Sequence, residues 1–182
     1  MDLAVEMLKT IMMAFTLSTS GLDIESESYM DEPLFCMAQN IYHEAGNQDF
    51  DGKVAVGFVT RTRVRHASFP NDICGVVKQG PTYTNWKGNT WPQINRCQFS
   101  WNCDGKSDDI NLVRNGKVVD EEVIAWHESI QAAILVMLDL VNDPTDEATH
   151  YYNPDKANPS WRHEYPEVAR IGDHTFRKKE ES

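Results

Sequence analysis

The stretch Cys36-Met37-Ala38-Gln39-Asn40-Ile41-Tyr42-His43-Glu44-Ala45-Gly46 sets a carboxylic acid, Glu44, in the last turn of a short apolar helix. At helical spacing Phe35, Ala38, Ile41, Tyr42 and Ala45 share one apolar face, and Gly46 supplies a stop just beyond it. The C-terminal end of a helix carries partial negative charge, so a carboxylate there is out of its preferred place. Beside an apolar face and two aromatic neighbours, such an acid is expected to hold its proton toward neutrality and to donate it to a leaving group. The plain alternative is a solvated glutamate at a frayed helix end. The rest of the chain has to decide.

At 182 residues the chain is long enough to bury a core without metals or staples. Its 41% hydrophobic and 10% aromatic content are globular values. Acids outnumber bases 28 to 17, and no Lys/Arg cluster offsets the excess, so nucleic acid is not an expected partner. The four cysteines stand at 36, 74, 97 and 103. Cys97 and Cys103 bracket a short aromatic segment, at a spacing that suits a disulfide across a loop or hairpin, and Cys36–Cys74 is the second candidate pair. An even count fits an oxidising compartment, with four buried free thiols as the alternative. The spacing is not C-x-x-C, no metal site is expected, and no cofactor motif is present.

Residues 1–32 read as a separate N-terminal part. Lys9, the apolar run Ile11–Leu17 and the small residues Ser18 to Gly21 resemble a short export signal. Asp2 and Glu6 argue instead for an amphipathic arm, and the run is too short to span a membrane. Residues 21–32 are acidic and serine-rich, as in a linker. A single domain is expected over 33–178.

Within it, Pro33 opens the Glu44 helix, and Asp51 is expected to cap a second helix carrying Val54, Ala55, Phe58, Val59 and Val64, whose valines would also tolerate a strand. Asp72 can cap a short helix over 73–78. Residues 80–101 read as loops with short strands, and Asn115-Gly116 as a tight turn. The clearest helix is expected over 120–141, with Val123, Ile124, Trp126, His127, Ile130, Ala133, Ile134, Met137, Leu138 and Val141 on its apolar side and Asn142-Asp143-Pro144 as its stop. Val168–Phe176 reads as a β-hairpin around Gly172-Asp173. Helices with small strand pieces between them make an α+β domain.

Two further motifs carry chemistry. Cys97-Gln98-Phe99-Ser100-Trp101-Asn102-Cys103 alternates polar and aromatic side chains. On a strand, Gln98, Ser100 and Asn102 would point one way and Phe99 and Trp101 the other, a pattern suited to sugar hydroxyls and ring faces. His150-Tyr151-Tyr152-Asn153 is read as a loop rich in ring and amide groups, of the kind that carries binding residues; aromatic packing beneath a long loop is its alternative. Trp161 fits the core equally well. Other chemistries fail on their motifs. His127-Glu128 lacks the second histidine of a zinc protease, since position 131 is Gln, and there is no Gly-x-Ser-x-Gly elbow, phosphate loop or dinucleotide fingerprint. A Cys36–His150 cysteine-protease pairing leaves Glu44 and the Gln98 segment unused.

Taken in order, Asn40–Ala45, Gly52–Val56 leading to Arg61–Val64, Phe69-Pro70 with Ile73–Val77, Cys97–Trp101, Asp143–Thr145, Ala148–Tyr151 and Ile171–Phe176 resemble the SleB-type cell-wall hydrolase family. The resemblance implies a lysozyme-like α+β fold, mainly helical, acting on the β-1,4 bond between N-acetylmuramic acid and N-acetylglucosamine in peptidoglycan. It places the catalytic acid on Glu44 and implies lytic transglycosylase chemistry, in which the muramic-acid 6-hydroxyl attacks C1. Gln98, Ser100, Trp101, His150, Tyr151 and Asn153 are the expected substrate contacts. A two-carboxylate glycosidase needs a second acid across the bond. Asp49, Asp51 and Asp104 each have a simpler use as a cap or turn residue, so a lone acid serving both proton transfers is the reading. The chain departs from the family pattern at Gly46-Asn47-Gln48 and at Tyr152, where a second histidine is usual. A non-catalytic glycan-binding module on the same scaffold is the competing expectation. Targeting falls to the domain itself or to a wall or virion protein, in a chain that is exported by a bacterium to its periplasm or wall, or encoded by a phage.

Overall fold

The computed structural model describes residues 30–180. Helix α1 (Glu32–Ala45) starts where Asp31 accepts a hydrogen bond from the Leu34 amide at 3.1 Å, with Pro33 in the first turn. Helix α2 (Phe50–Arg65) is capped by Asp49, whose carboxylate accepts from Gly52 N at 2.9 Å; Asp51, expected to cap it, is instead an exposed first-turn residue. Side chains of α2 are buried continuously from Gly52 to Thr60, which is why its valines fit a central helix rather than a half-exposed strand. A Cβ on Gly57 would meet Val136 and Ile41 at 3.1 and 3.2 Å, so this glycine lets the three long helices close on one another.

Asp72 caps the short helix α3 (Ile73–Val77). Helix α4 (Asp120–Met137) ends four residues before its expected stop. Asp139 takes a left-handed conformation (φ 56°), Leu140 N bonds Leu135 O and Asp139 N bonds Val136 O, a Schellman end, and Arg61 of α2 pairs with the Asp139 carboxylate. Its packed face also differs from the expected one. Ala125, Trp126, Ser129, Ala132, Ala133 and Val136 are buried, whereas Ile124 and Leu138 face water. Small residues on this face let α1 and α2 approach closely. The core they share includes Met37, Ile41, Val56 and Val59, each contributing roughly 1.5–3 kcal/mol by burial.

The strands are short. Hairpins β1–β2 (Thr82–Thr84, Thr90–Pro92) and β3–β4 (Val113–Arg114, Lys117–Val118) are antiparallel pairs, the second turning at Asn115-Gly116 with both residues at positive φ. A three-stranded antiparallel sheet runs β5 (His150–Tyr152), β7 (His174–Arg177), β6 (Glu167–Ile171) in spatial order. His150-Tyr151-Tyr152 is therefore a strand, not a loop: Tyr151 pairs with Phe176 across the register, and both lie against α2 with Ala55, Val59 and Ala148. Gly172 turns the β6–β7 hairpin at φ 54°.

Both expected disulfides are present, Cys36–Cys74 joining α1 to α3 and Cys97–Cys103 closing a tight loop. The second bears out the loop reading for 97–103 and excludes the strand arrangement of its alternating side chains. A strand of that length would hold its ends roughly 20 Å apart, whereas the two Cα atoms stand 6.0 Å apart and Ser100–Cys103 coils into a 3-10 turn. Among the described residues no helix is long and apolar enough to cross a membrane. The N-terminal arm and acidic linker lie, up to residue 29, outside the described residues.

Candidate active site

Glu44 sits one residue before the end of α1, over the face of α2 that also receives the sheet. Its Oε2 accepts a hydrogen bond from the Tyr151 hydroxyl at 3.0 Å, across 107 residues of chain. Burial pushes the Glu44 carboxyl above its ordinary value, and the Tyr151 bond and the Arg63 charge only partly pull it back. The second oxygen, Oε1, has no hydrogen-bond partner among the described residues. Tyr151 is itself held fully protonated, first by burial and then by the neighbouring carboxylate. It acts here as a donor only.

Arg63 is the residue that sequence reasoning passed over. It follows Ala55 and Val59 at i+4 intervals, so a cation continues an otherwise apolar stripe of α2, and that break was the available signal. The residue is 4% exposed, and its guanidinium lies 4.8 and 5.1 Å from the Phe99 and Phe69 ring centroids. Nε donates to Thr149 O at 2.7 Å, while Nη1 is buried without a partner. Burial pulls its pKa down to about 10, with Tyr151 and Glu44 opposing, so it stays cationic at neutral pH.

Trp101 packs on α1 against His43, the residue before Glu44. Its ring stacks on His43 at 4.4 Å and 20° between planes, and its Nε1 donates to Asn40 Oδ1 at 3.0 Å. Asn40 is fully buried and donates in turn to Thr60 Oγ1 at 3.1 Å, which donates to Val56 O. This chain fixes Trp101 against both helices, a satisfied buried network that rigidifies the place it occupies. His43 donates through Nε2 to Asp108 O at 3.2 Å, and burial lowers its pKa, leaving it neutral.

The remaining expected contacts divide. Gln98 and Ser100 are exposed on the segment that carries Trp101. His150 and Tyr152 lie on the opposite face of β5 from Tyr151, as strand alternation requires. His150 packs among Phe69, Trp161 and Tyr165, bonds Thr149 Oγ1 at 2.9 Å, and is pushed down to about 3, mainly by burial. Asn153 uses its Oδ1 to accept from Asp155 N in a turn. Asp49 caps α2 and Asp104 accepts from Lys106 N, so both carboxylates are held in local structure. The departure at Gln48 has a visible use. Its Oε1 accepts from Asp173 N at 3.0 Å and its Nε2 donates to the Asp173 carboxylate at 3.1 Å, latching the loop after Glu44 to the β6–β7 turn. Lys53, 1% exposed, supports that loop from below by donating to Gln48 O and pairing with Glu128.

A mainly helical α+β domain with small antiparallel sheets, holding a proton-retaining acid that a tyrosine hydroxyl engages, is a protein of the lysozyme-like class. The chain belongs to the cell wall hydrolase family, whose sequence profile matches residues 47–177 and so begins three residues past Glu44. The chain is similar to the catalytic domain of the germination-specific lytic transglycosylase SleB from Bacillus anthracis, with a TM-score of 0.57, 29% identity, and coverage of 82% of this chain and 97% of that one. It is 28% identical over 150 residues to a spore cortex-lytic enzyme of Bacillus cereus, covering 81% of this chain and 45% of the relative. The corresponding enzyme of Oceanobacillus iheyensis is 27% identical over 152 residues, covering 82% and 43%. The chain thus spans under half the length of these curated relatives.

Proposed function

We propose that this chain cleaves the glycan strand of peptidoglycan between N-acetylmuramic acid and N-acetylglucosamine as a lytic transglycosylase, with Glu44 as the only catalytic acid. The observation that carries this is the half-buried Glu44 carboxyl held through one oxygen by Tyr151 and raised in pKa by desolvation. With Oε2 engaged as an acceptor, the proton belongs on Oε1, the oxygen without a protein partner. From there it passes to the bridging oxygen as the bond from C1 breaks and N-acetylglucosamine leaves with a free 4-hydroxyl. The resulting carboxylate then takes the proton of the muramic-acid 6-hydroxyl as that oxygen bonds C1, closing a 1,6-anhydro ring and restoring the acid. No water is consumed.

Arg63 limits the rise of the Glu44 pKa, so that the acid gives up its proton within the working range. Trp101, fixed on His43 next to Glu44 in the chain, is the proposed ring contact for substrate, with the exposed Gln98 and Ser100 on the same segment as polar contacts. The placement of His150 and Asn153 supports a positioning role for them rather than direct contact. The two disulfides support action in an oxidising place, the periplasm or wall, whether the owner or a phage host supplies that wall. A wall or virion protein as targeting partner remains part of the proposal.

Glu44→Gln tests the assignment. Clearance of purified sacculi is expected to drop about a thousandfold or more, with sedimentation on sacculi retained. Mass spectrometry of the parent's products is expected to show 1,6-anhydro-muramic ends; reducing muramic ends would instead mean hydrolysis. If the variant clears walls at the parent rate, Glu44 is not the acid. If the parent itself only binds, the chain is a glycan-binding module.

A further inference from the structure

The hairpin β1–β2 exposes more aromatic surface than any packing role explains. Tyr83 and Trp91 are cross-strand partners, so both rings lie on one face, each 52% exposed. Trp86 at the tip is 90% exposed and Ile94 just past β2 is 66% exposed. The tip is nonetheless held in shape. Asn85 Oδ1 accepts from the amides of Lys87 and Asn89, and Asn85 N bonds Asn89 O, so Trp86 is presented by a fixed turn. Large rigid rings held in water in this way mark a contact surface.

Charge distinguishes the same segment. From Ile73 to Cys103 there is no acid, while Lys78, Lys87 and Arg96 supply three cations, in a chain of net charge −11. Lys78 reaches Glu32 of α1 at 3.9 Å, whereas among the described residues Lys87 lies over the Trp86 ring at 5.0 Å with no acid partner and Arg96 meets the neutral Gln93. A basic aromatic finger on an acidic molecule fits an anionic, ring-rich polymer.

The finger is rooted in the site. Gln93 N bonds Pro81 O, Asn95 N bonds Cys103 O at 2.8 Å and Gln98 N bonds Gln79 O, fastening the hairpin base to the disulfide loop that carries Trp101. A Cβ on Gly80 would lie 2.9 Å from Cys97 Sγ, so the two segments meet without room for a side chain.

We propose that the β1–β2 hairpin is a docking surface for the peptidoglycan glycan strand outside the cleaved bond. Tyr83, Trp86 and Trp91 cover sugar faces, and Lys87 and Arg96 meet the carboxylates of the muramic-acid peptides. The assignment rests on the proposed function and deepens it: the occupant is a further length of the same strand.

The test uses the full-length chain carrying Glu44→Gln, so that binding is read without turnover, on sacculi stripped of secondary wall polymers with hydrofluoric acid. Trp86→Ala combined with Trp91→Ala is expected to weaken sedimentation with sacculi about tenfold or more, at an unchanged thermal midpoint. Lys87→Glu, which keeps every ring, is expected to weaken it less and to flatten its salt dependence. In the chain retaining Glu44, the ring variant is expected to lose several-fold more rate on sacculi than on a soluble tetrasaccharide. Equal losses on both substrates, or parental binding by both variants, would overturn the proposal. So would binding seen only before acid stripping, which assigns the surface to a wall polymer, or a parent dimer that the ring variant dissociates in sedimentation, which assigns it to a second copy. The binding assay is run briefly at 4 °C with release of soluble fragments monitored, so failure of Glu44 as the acid would show as clearance by Glu44→Gln and be told apart from loss of binding by the ring variant.

Discussion

The helical body and the segment from Gln79 to Val119 are built on different principles. The body surrounds α2 with α1, α4 and the three-stranded sheet, and its specificity comes from buried contacts, including the Asn40–Thr60 network and the Arg63 cation. The wing, 79–119, has two exposed hairpins, a 3-10 turn and a six-residue disulfide loop, with Phe99 and Cys103 as its buried side chains. The body holds Glu44, and the wing fastens to the same helix through Trp101, which stacks on His43 and bonds Asn40. A wing built without a core of its own can change its face without disturbing the acid.

The largest contrast is expected from the disulfides. Cys36–Cys74 closes 38 residues of the body and Cys97–Cys103 closes six of the wing. Chain-entropy arguments assign them about 4 and about 2 kcal/mol. Replacing each pair with alanine and unfolding in urea should show the larger loss for the body pair, with the wing pair lowering activity more than its loss of stability accounts for. Equal losses would mean that the wing unfolds together with the body.

Within the body, Tyr151→Phe is expected to slow wall clearance about tenfold, the worth of one hydrogen bond to an ionisable group. Loss of a bond that lowers the Glu44 pKa should also move the alkaline limb of the activity profile to higher pH. A limb that stays in place would separate Tyr151 from the titration of Glu44.

Smaller effects distinguish the regions by pH. His150, in the body, titrates near 3 when folded against an ordinary 6.5. Between those values the unfolded chain binds the additional proton, so stability is lost as pH falls from about 6.5 toward 3. Residues 79–119 contain no histidine. Hydrogen exchange at pH 5 should therefore loosen β5 and its ring cluster, and His150→Gln should abolish that loosening. Glu44 acts in the reverse direction. Its folded carboxyl holds the proton to higher pH than the unfolded one, so it costs stability as pH rises through its raised pKa. Glu44→Gln should raise the unfolding midpoint at neutral pH, and an unchanged midpoint would contradict burial as the source of the shift.

Much of the body was legible in the sequence because helix caps, turn residues and 3.6-residue spacing are local signals. Asp31 and Asp72 cap their helices as their residue type favours, and in the wing Asn115-Gly116 makes the turn that its pair favours. The errors arose where a distant partner decides. The end of α4 depends on Arg61 reaching Asp139, and the packed face of α4 follows the small residues that two neighbouring helices demand. The alternation in 97–103 looked like a strand until the disulfide is given its length. Glu44 and Tyr151 each stand in a local motif that marks them. The bond between them, and the part Arg63 takes, depend on a tertiary arrangement that no local pattern contains.

The latch between Gln48 and Asp173 spans 125 residues, and the bond between Tyr151 and Glu44 spans 107. Synthesis runs from the N-terminus, so α1 and its acid leave the ribosome long before either partner exists. Until β5 and the β6–β7 turn have emerged and folded back, Glu44 has neither its tyrosine nor its closed loop. Such long-range closure is slow, and it makes competence of the acid one of the last properties the chain acquires. On the proposed function, the chain leaves the ribosome inactive, with the delay written into the order of its residues.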